Sequence, residues 1–318
     1  MTGTIPRIEV ILAVHHPDMP ALERQVGSVL AQEECTLRLH LFADGPMPQL
    51  EQIAALVGRH AEVSLNTFAE NRGPAITFLE GLAYVQAHPG KHAGEGWFAF
   101  CDQDDVWHPR KLAASFARLQ ASGAACVHTD TRVTDAGRNI IAPSLFALER
   151  REVDPTLLDL FFRNNATGMT MLLDASLAKQ VTASRHLRPH RWLHDQFTAF
   201  LASAGRGLVF CGEPLADYVQ HGGNMVGAGP TGIHWPRGRF LDHDGDAAQL
   251  QRSGGRLVRE LLAGAKLDEA ARSDLEQLRD LLEASGVKSM PRACRTLCRA
   301  RGVPRGIAAR LLWSKLAG

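Results

Sequence analysis

Hydrophobic positions in the first 130 residues follow two alternating spacings. Short, nearly continuous apolar runs are typical of strands that are covered on both faces of a sheet. They lie at residues 8–14, 37–43, 61–68, 97–101 and 124–128. The segments between them carry apolar side chains at helical spacing, at residues 20–30, 49–57, 74–87 and 109–120. This alternation predicts an α/β fold, with a doubly wound, mostly parallel sheet, right-handed crossovers and helices on both faces.

The hydrophobic pattern is less regular beyond residue 130. It predicts a hairpin at residues 133–141, a short helix at 157–162, a helix at 196–204 and a strand at 208–211. Glycine, proline and arginine then dominate up to residue 255, before helical stretches at residues 257–262, 267–282 and 307–316. We therefore expect a main domain at 1–230, an irregular linker at 231–255 and a basic helical appendage at 256–318.

Composition places the chain among ordinary soluble proteins. Its 318 residues are 45% hydrophobic and 22% charged, and no apolar run approaches the length of a membrane span. The N-terminus leads directly into a strand and shows no secretory signal. The six cysteines are scattered and form no Cys-x-x-Cys pair, which favours a reducing, cytoplasmic setting over a disulfide framework.

Positive charge is concentrated at the C-terminus. Residues 285–318 contain eight Lys or Arg and no Asp or Glu, so the remainder carries −7 against a total of +1. Ile307, Leu311, Leu312 and Trp313 among these basic residues resemble an amphipathic helix at an anionic membrane surface. A helix that packs on the main domain explains the same pattern equally well. Nucleic acid is not an expected partner, because no recognised binding motif accompanies the charge.

Three carboxylates crowd the end of the predicted strand at residues 97–101. They are Asp102, Asp104 and Asp105, within the sequence Asp-Gln-Asp-Asp. Like charges this close repel, so they need protons or a cation to coexist. Oxygen ligands suit Mg²⁺ or Mn²⁺, and such sites usually share the metal with substrate phosphates. An acidic turn that caps the helix near Pro109 is the alternative explanation.

The position of the acidic turn favours the metal site. In a doubly wound sheet, ligands bind outside the carboxyl ends of the strands. Polar residues follow four of the predicted strands in this chain. They are His15 and His16, then Asp44, then Asn71 and Arg72 before Gly73, and finally the acidic turn. An acidic turn with a purely structural role does not account for this repeated placement.

These motifs together resemble family 2 glycosyltransferases with the GT-A fold, and within them a bacterial rhamnosyltransferase-like branch. The resemblance covers about residues 5–227, and four segments carry it. They are residues 98–112 (FAFCDQDDVWHPRKL), 164–171 (NNATGMTM), 194–196 (HDQ) and 220–227 (QHGGNMVG). The His15-His16 pair departs from the family, whose members usually carry Thr-Tyr-Asn or a similar sequence there.

The resemblance implies an inverting glycosyltransferase of the hexosyltransferase type. It would move a sugar, with rhamnose as the candidate, from a nucleoside diphosphate sugar to a hydroxyl of a glycan or lipid-linked acceptor. The setting would be synthesis of a cell-surface polysaccharide such as O-antigen, in the cytoplasm or at the inner face of the membrane. A Mn²⁺ or Mg²⁺ ion would assist departure of the diphosphate.

The resemblance also assigns roles to individual residues. Asp195 is the expected catalytic base, and Asp104 is the expected direct metal ligand. Asp102 would hold both the metal and the nucleotide, and His221 would be a further metal ligand. The remaining nucleotide-sugar-binding candidates are His15, Asp44, Asn71, Arg72, Gln103 and Asn165.

Each assignment has a structural alternative. Asp195 could be the N-cap of its helix, and Asp44 could support its own turn. Asn165, His15 and His221 could be turn, strand-end and loop residues without a ligand. Two other functions also fit parts of the sequence. A sugar-phosphate nucleotidyltransferase would need a glycine-rich N-terminal loop that this chain lacks, and retention of Asp102, Asp104 and Asp195 argues against a catalytically silent sugar-nucleotide-binding or scaffold protein.

Overall fold

The first half of the chain is the part that the hydrophobic spacing predicts best. The computed structural model describes residues 6–88, 96–189, 192–220, 244–264, 266–283 and 286–301, with residues 303, 308–309 and 311–312. Its first elements are β1 (Arg7–Val14), α1 (Met19–Leu30), β2 (Thr36–Ala43), α2 (Leu50–Val57), β3 (Val63–Thr67), α3 (Pro74–Ala87) and β4 (Trp97–Cys101). β1 pairs in parallel with β2 and β4, and β2 pairs in parallel with β3. The carboxyl ends of these four strands therefore share one edge of the sheet.

The second half adds strands that run in both directions. Its elements are β5 (Val106–Trp107), α4 (Lys111–Ser122), β6 (Cys126–Asp135), β7 (Ile140–Ala142), α5 (Leu145–Glu149), α6 (Leu157–Phe162), β8 (Met171–Asp174), α7 (Ala175–Ser184), α8 (His194–Ala204) and β9 (Leu208–Gln220). Across the described residues, the sheet order is β3-β2-β1-β4-β8-β6-β9-β5, with β7 paired to β6. The α/β class is confirmed, and the sheet is mixed rather than mostly parallel.

The fifth predicted strand is where sequence and structure differ. Residues 124–128 suggested a short strand that continues the parallel series, whereas β6 runs to Asp135 and is not paired with β4. The place beside β4 belongs to β8, which is antiparallel to both β4 and β6. All four residues of β8 are buried. The apolar spacing within one segment does not show that a strand from later in the chain is inserted between β4 and β6.

Both faces of the sheet carry a hydrophobic core. Alternate residues of β1 divide between them, because Ile8, Val10 and Leu12 belong to one cluster and Ile11 to the other. The first cluster is covered by α1 and α4, and the second by α3, α7 and α8. Burial on both faces explains why the strand sequences are apolar throughout instead of alternating.

Of the described C-terminal helices, one is longer than the prediction at 257–262, one matches the prediction at 267–282 closely, and one, near residue 295, was not predicted. They are α9 (Asp244–Gly264), α10 (Glu269–Glu283) and α11 (Met290–Arg299). The prediction of irregular chain up to residue 255 is therefore wrong for residues 244–255. Glycine has a packing role here, because a Cβ atom on Gly254 would lie 2.7 Å from the ring of Phe161 in α6. The close approach of α9 to α6 explains why a glycine occurs within this helix.

The described part of the basic segment packs on the main domain. Leu257, Leu278 and Leu311 are fully buried in the core cluster that also contains α6 and α8. Asp274 of α10 accepts hydrogen bonds from the backbone N–H groups of Leu157 and Leu158, at the start of α6. Burial of Leu311 agrees with the packing alternative, while Ile307, Trp313 and most of the predicted helix at 307–316 lie outside the described residues.

None of the described helices is both long enough and apolar enough to span a membrane. The division into a domain, a linker and an appendage remains a prediction.

Candidate active site

The acidic turn follows β4 directly at the carboxyl edge of the sheet. Asp102 and Asp104 are partly exposed, whereas Asp105 is buried. Asp105 accepts a hydrogen bond from the backbone N–H of Val219 in β9, at 3.2 Å, and its second carboxylate oxygen has no partner among the described residues. Burial and the neighbouring charges of Asp104 and Asp102 hold the pKa of Asp105 well above its usual range. The turn therefore brings carboxyl groups so close together that the charge of each disfavours ionisation of its neighbours.

A buried lysine lies beneath this turn. The Nζ atom of Lys111 is 3.9 Å from the ring centroid of Trp107, and it has no hydrogen-bond partner among the described residues. Burial lowers the pKa of Lys111 to about 8, against the raising effect of Cys101 and Asp105. An ammonium over an indole face is a favourable cation–π contact. Trp107 is thus a packing residue that supports the acidic turn.

His15 connects three of the strand ends. Its backbone N–H donates to Oε1 of Gln103 at 2.8 Å, and Nε2 of Gln103 donates to the His15 carbonyl at 3.1 Å. Nδ1 of His15 lies 2.9 Å from the carbonyl of Asp44, and its Nε2 lies 2.8 Å from Nδ2 of Asn71. A neutral ring protonated at Nδ1 satisfies both side-chain contacts. Four of the predicted nucleotide-binding residues, His15, Asp44, Asn71 and Gln103, are therefore linked to one another.

Asp44 anchors the loop between β3 and α3. Its two carboxylate oxygens accept hydrogen bonds from the backbone N–H groups of Arg72 at 2.7 Å and Gly73 at 2.9 Å. The approach is so close that a Cβ atom on Gly45, whose φ is +86°, would lie 2.6 Å from the backbone nitrogen of Asn71. Asp44 is buried and supports the loop, and its role in nucleotide binding remains a prediction.

Asp195 lies in the first turn of α8. The N-cap of this helix is Leu193, so Asp195 is not the capping residue. One carboxylate oxygen accepts a hydrogen bond from the backbone N–H of Gly168 at 3.1 Å, and the other accepts one from the backbone N–H of Gln196 at 2.7 Å. Burial raises the pKa of Asp195 to about 6, although these bonds and one to the Asn164 side chain act in the opposite direction.

Asp195 lies close enough to the acidic turn for its charge to act on Asp102. The pKa of Asp102 is raised to about 7, first by burial, then by the charge of Asp104 and then by the charge of Asp195. Like charges raise the pKa of a carboxyl only when they lie close together. The loop at 164–168 and helix α8 therefore bring Asp195 to the same site as the carboxylates after β4.

Close packing fixes the loop that contacts Asp195. The ring of His194 stacks on Phe78 with centroids 3.9 Å apart and meets Phe100 edge-on at 4.8 Å. A Cβ atom on Gly168 would lie 2.4 Å from Nε2 of His194. Burial lowers the pKa of His194 to about 3, so the ring is neutral near pH 7. Glycine at position 168 is what allows its N–H group to reach Asp195.

The structure separates the two asparagines of this loop. The amide of Asn165 is buried and donates to the carbonyl of Glu152, whereas the side chain of Asn164 bonds to Asp195. Asn165, the residue chosen from the sequence, therefore faces Glu152, and its role in donor binding remains a prediction. Identical neighbours in a loop give no sequence signal that distinguishes them. His221, a predicted metal ligand, lies outside the described residues.

Residues 10–178 match the family model described as "Glycosyl transferase family 2", which is more than half of the 318 residues. The chain belongs to glycosyltransferase family 2. It is therefore a glycosyltransferase, and the expectation drawn from its motifs is confirmed at that level. The match does not distinguish a rhamnosyltransferase-like branch. No curated protein matches the sequence.

Solved structures resemble this family member in fold. TarS residues 1–349 of S. aureus, in complex with UDP-GlcNAc, has a TM-score of 0.57 and 14% identity, with 96% of this chain and 83% of that chain covered. Mannosyltransferase PcManGT from Pyrobaculum calidifontis, in complex with GDP-Man and Mn2+, has a TM-score of 0.53 and 15% identity, with 98% and 79% covered. At such low identity, these similarities establish the GT-A-like fold and nothing about the ligands of this chain.

The acidic turn has the donor chemistry for a hard divalent cation. Its carboxyl groups repel one another when ionised, which helps to raise the pKa of Asp102, and one oxygen of Asp105 has no hydrogen-bond partner among the described residues. Within the described ranges, no three His, Cys, Asp or Glu side chains converge as a complete metal site. Mg²⁺ and Mn²⁺ commonly bind through one or two carboxylates together with substrate phosphates. The residues present fit that partial coordination.

Proposed function

We propose that this glycosyltransferase uses a nucleoside diphosphate sugar, requires Mn²⁺ or Mg²⁺, and inverts the anomeric centre. The observation that carries the proposal is the placement of Asp195 beside the end of β4: the neighbouring His194 ring packs against Phe100 of β4, and the charge of Asp195 acts on Asp102. It joins a buried carboxyl with a pKa of about 6 to the carboxylates that suit a metal–diphosphate group. A base and a leaving-group site close to each other are the two requirements of direct displacement at a sugar carbon.

Asp104 and Asp102 are the proposed metal ligands, with His221 as a further ligand. A bound cation would neutralise charge on the diphosphate leaving group. His15, Asp44, Asn71, Arg72 and Gln103 are proposed to border the nucleotide, and the hydrogen bonds among them support a preformed pocket. The two structural neighbours are complexes with UDP-GlcNAc and with GDP-Man, the latter also with Mn2+, and this supports the donor class and the metal.

Asp195 is the proposed base. The acceptor oxygen would attack the anomeric carbon while the bond from that carbon to the diphosphate oxygen breaks. The acceptor proton would pass to a carboxylate oxygen of Asp195. With a pKa of about 6, Asp195 is mostly ionised at pH 7 and remains basic enough to accept a proton. One displacement of this kind inverts the configuration.

The proposed acceptor is a glycan or a lipid-linked glycan in cell-surface polysaccharide synthesis, with rhamnose as the candidate sugar. The support is the motif resemblance, together with the exposed arginines Arg292, Arg295 and Arg299 on one side of α11. Such a surface would suit an anionic membrane. A cytoplasmic enzyme at the inner face of the cell membrane is the proposed setting.

A donor panel tests this proposal. UDP-GlcNAc, GDP-mannose and dTDP-rhamnose would each be added with Mn²⁺ or with EDTA, and the melting temperature and release of nucleoside diphosphate would be measured. We expect one donor to raise the melting temperature only with metal, since a ligand of the folded state increases apparent stability. We expect the same donor to be turned over and, with an acceptor, to give a product of inverted configuration. Retained configuration, or turnover that is unaffected by EDTA, would contradict the proposal.

A further inference from the structure

A buried ion pair lies next to the loop that contacts Asp195. Nε of Arg151 donates to a carboxylate oxygen of Glu149 at 2.8 Å, and the two side chains are only 6% and 1% exposed. Burial of an ion pair is costly unless its remaining hydrogen-bonding groups also find partners. Both residues lie outside the acidic turn and the nucleotide side, and neither has a role in the reaction described above.

The free end of Arg151 bonds to the 164–168 loop. Its Nη1 atom donates to the hydroxyl of Thr167 at 2.9 Å and to the carbonyl of Asn165 at 3.2 Å. Both groups lie within the three residues before Gly168, whose backbone N–H donates to Asp195, and Thr167 is its immediate neighbour. Arg151 therefore holds the segment that in turn holds the Asp195 carboxylate.

The partner Glu149 is itself fixed in position. It is the last residue of α5, and its backbone carbonyl accepts a hydrogen bond from Nη2 of Arg163. Arg150, between Glu149 and Arg151, has a left-handed conformation with φ of 51°. The chain thus turns sharply between the two charged residues, and the short connection directs the Arg151 side chain towards the loop.

We propose that Arg151 is a positioning residue for the catalytic base, and that it acts through Thr167 and Gly168. This inference rests on the proposed function of Asp195. Arginine suits the task because its planar guanidinium donates in several fixed directions, to Glu149 on one side and to the loop on the other. Its charge also lowers the pKa of Asp195, a smaller effect than those of burial and the direct hydrogen bonds.

The test compares two variants with a matched control. Thr167→Val keeps the side-chain volume and removes one acceptor of Arg151. Arg151→Met removes all of its donors and keeps much of the stem. Arg185→Met breaks a more exposed ion pair of similar length, to Glu80 at 3.0 Å, and is the control. The measurements are kcat for release of nucleoside diphosphate, the donor Kd with Mn²⁺, the melting temperature, and amide hydrogen exchange at Gly168.

We expect kcat to fall about 10²-fold in Arg151→Met and several-fold in Thr167→Val, because small displacements of a reacting group have effects of this size. The donor Kd should change less than twofold, and exchange at Gly168 should accelerate in both variants. Arg185→Met should match the wild type. If Arg151→Met does not fold because Glu149 is left unpaired, the double variant Glu149→Gln/Arg151→Met and Thr167→Val carry the same expectations.

Unchanged kcat in folded variants would overturn the inference, as would an equal loss of kcat and donor affinity. Failure of the proposed function gives a different result. In that case the wild type would release no nucleoside diphosphate from any donor, and Asp195→Asn would behave like the wild type. The positioning contact would then be judged by exchange at Gly168, where an unchanged rate in Arg151→Met would overturn it.

Discussion

Asp195, at the start of helix α8, lies close enough to Asp102, at the end of strand β4, for their carboxylate charges to interact. The two residues come from segments that are far apart in the chain and that meet at the carboxyl edge of the sheet. In the proposed reaction one carboxylate accepts the acceptor proton while the other helps to hold the leaving group.

Asp104→Asn should abolish metal-dependent donor binding, because an amide is a neutral and weaker ligand for Mn²⁺ or Mg²⁺. Calorimetric titration of the stabilising donor, with and without Mn²⁺, would measure the change. Asp154→Asn is the matched control, since Asp154 is an exposed loop residue. Donor binding by Asp104→Asn that remains tight and dependent on Mn²⁺ would refute the assignment of Asp104.

Asp102→Asn should stabilise the metal-free protein near pH 8. The pKa of Asp102 is raised to about 7 in the folded state, so the folded protein binds more protons than the unfolded chain between about pH 4 and pH 7. The contribution of Asp102 to stability therefore falls as pH rises through 7, and an amide removes that loss. We expect melting temperature to increase by a few degrees at pH 8, since ~1 kcal/mol corresponds to about 2–4 °C in a large domain.

The difference between Asp102→Asn and the wild type should shrink towards pH 5, where Asp102 is protonated in the folded protein. Added Mn²⁺ should stabilise the wild type more than the variant. A variant that is less stable than the metal-free wild type at pH 8 would show that the charge of Asp102 is already compensated within the protein.

Gly168→Ala should damage both stability and activity. The new Cβ atom would lie 2.4 Å from His194, whose ring is held between Phe78 and Phe100, so the loop must move away from Asp195. Overpacking of this kind typically costs about 1–3 kcal/mol. Gly27→Ala is the control, because no atom lies within 4 Å of its added Cβ. Denaturant unfolding and turnover would measure both effects, and near-normal values for Gly168→Ala would contradict the packing argument.

The exposed arginines of α11 should bind anionic vesicles. Deleting the segment would remove buried core residues such as Leu297, so charge substitution is the cleaner change. The triple variant Arg292→Gln/Arg295→Gln/Arg299→Gln should lose salt-sensitive binding, since each arginine near such a surface contributes about 1 kcal/mol. A control with the same loss of charge is Arg24→Gln/Arg59→Gln/Arg110→Gln, at exposed positions elsewhere. Equal vesicle sedimentation by both variants would exclude α11 as the contact.

Local sequence patterns predicted the strand ends of the first half well. Residues 8–14 and 97–101 are strands as expected, and the polar residues that follow them lie at one edge of the sheet. Spacing predicts these features because each strand is short, apolar and followed by its own turn. Because the carboxyl ends of parallel strands lie at one edge of the sheet, the polar residues that follow these strands can be placed at that edge from the sequence alone.

Features that depend on contacts between segments far apart in the chain were not predicted from the sequence. The insertion of β8 beside β4, the close approach of Gly254 to Phe161, and the contact of Asn164 instead of Asn165 with Asp195 have no local signature. The burial of Lys111 was not predicted either, because its neighbours in sequence are typical of an exposed helix start. Each of these depends on which surfaces meet after folding.

Donor binding and kcat of the Asp195→Asn variant test the proposed role of Asp195 as catalytic base most directly. The substitution keeps the shape of the side chain and removes its ability to accept the acceptor proton. We predict that it binds the donor with Mn²⁺ as the wild type does, while kcat falls about 10²–10⁴-fold, the usual contribution of a general base. The wild type should also lose activity as pH falls through about 6, where Asp195 becomes protonated. Sugar transfer by Asp195→Asn at a rate close to that of the wild type would show that Asp195 is not the catalytic base.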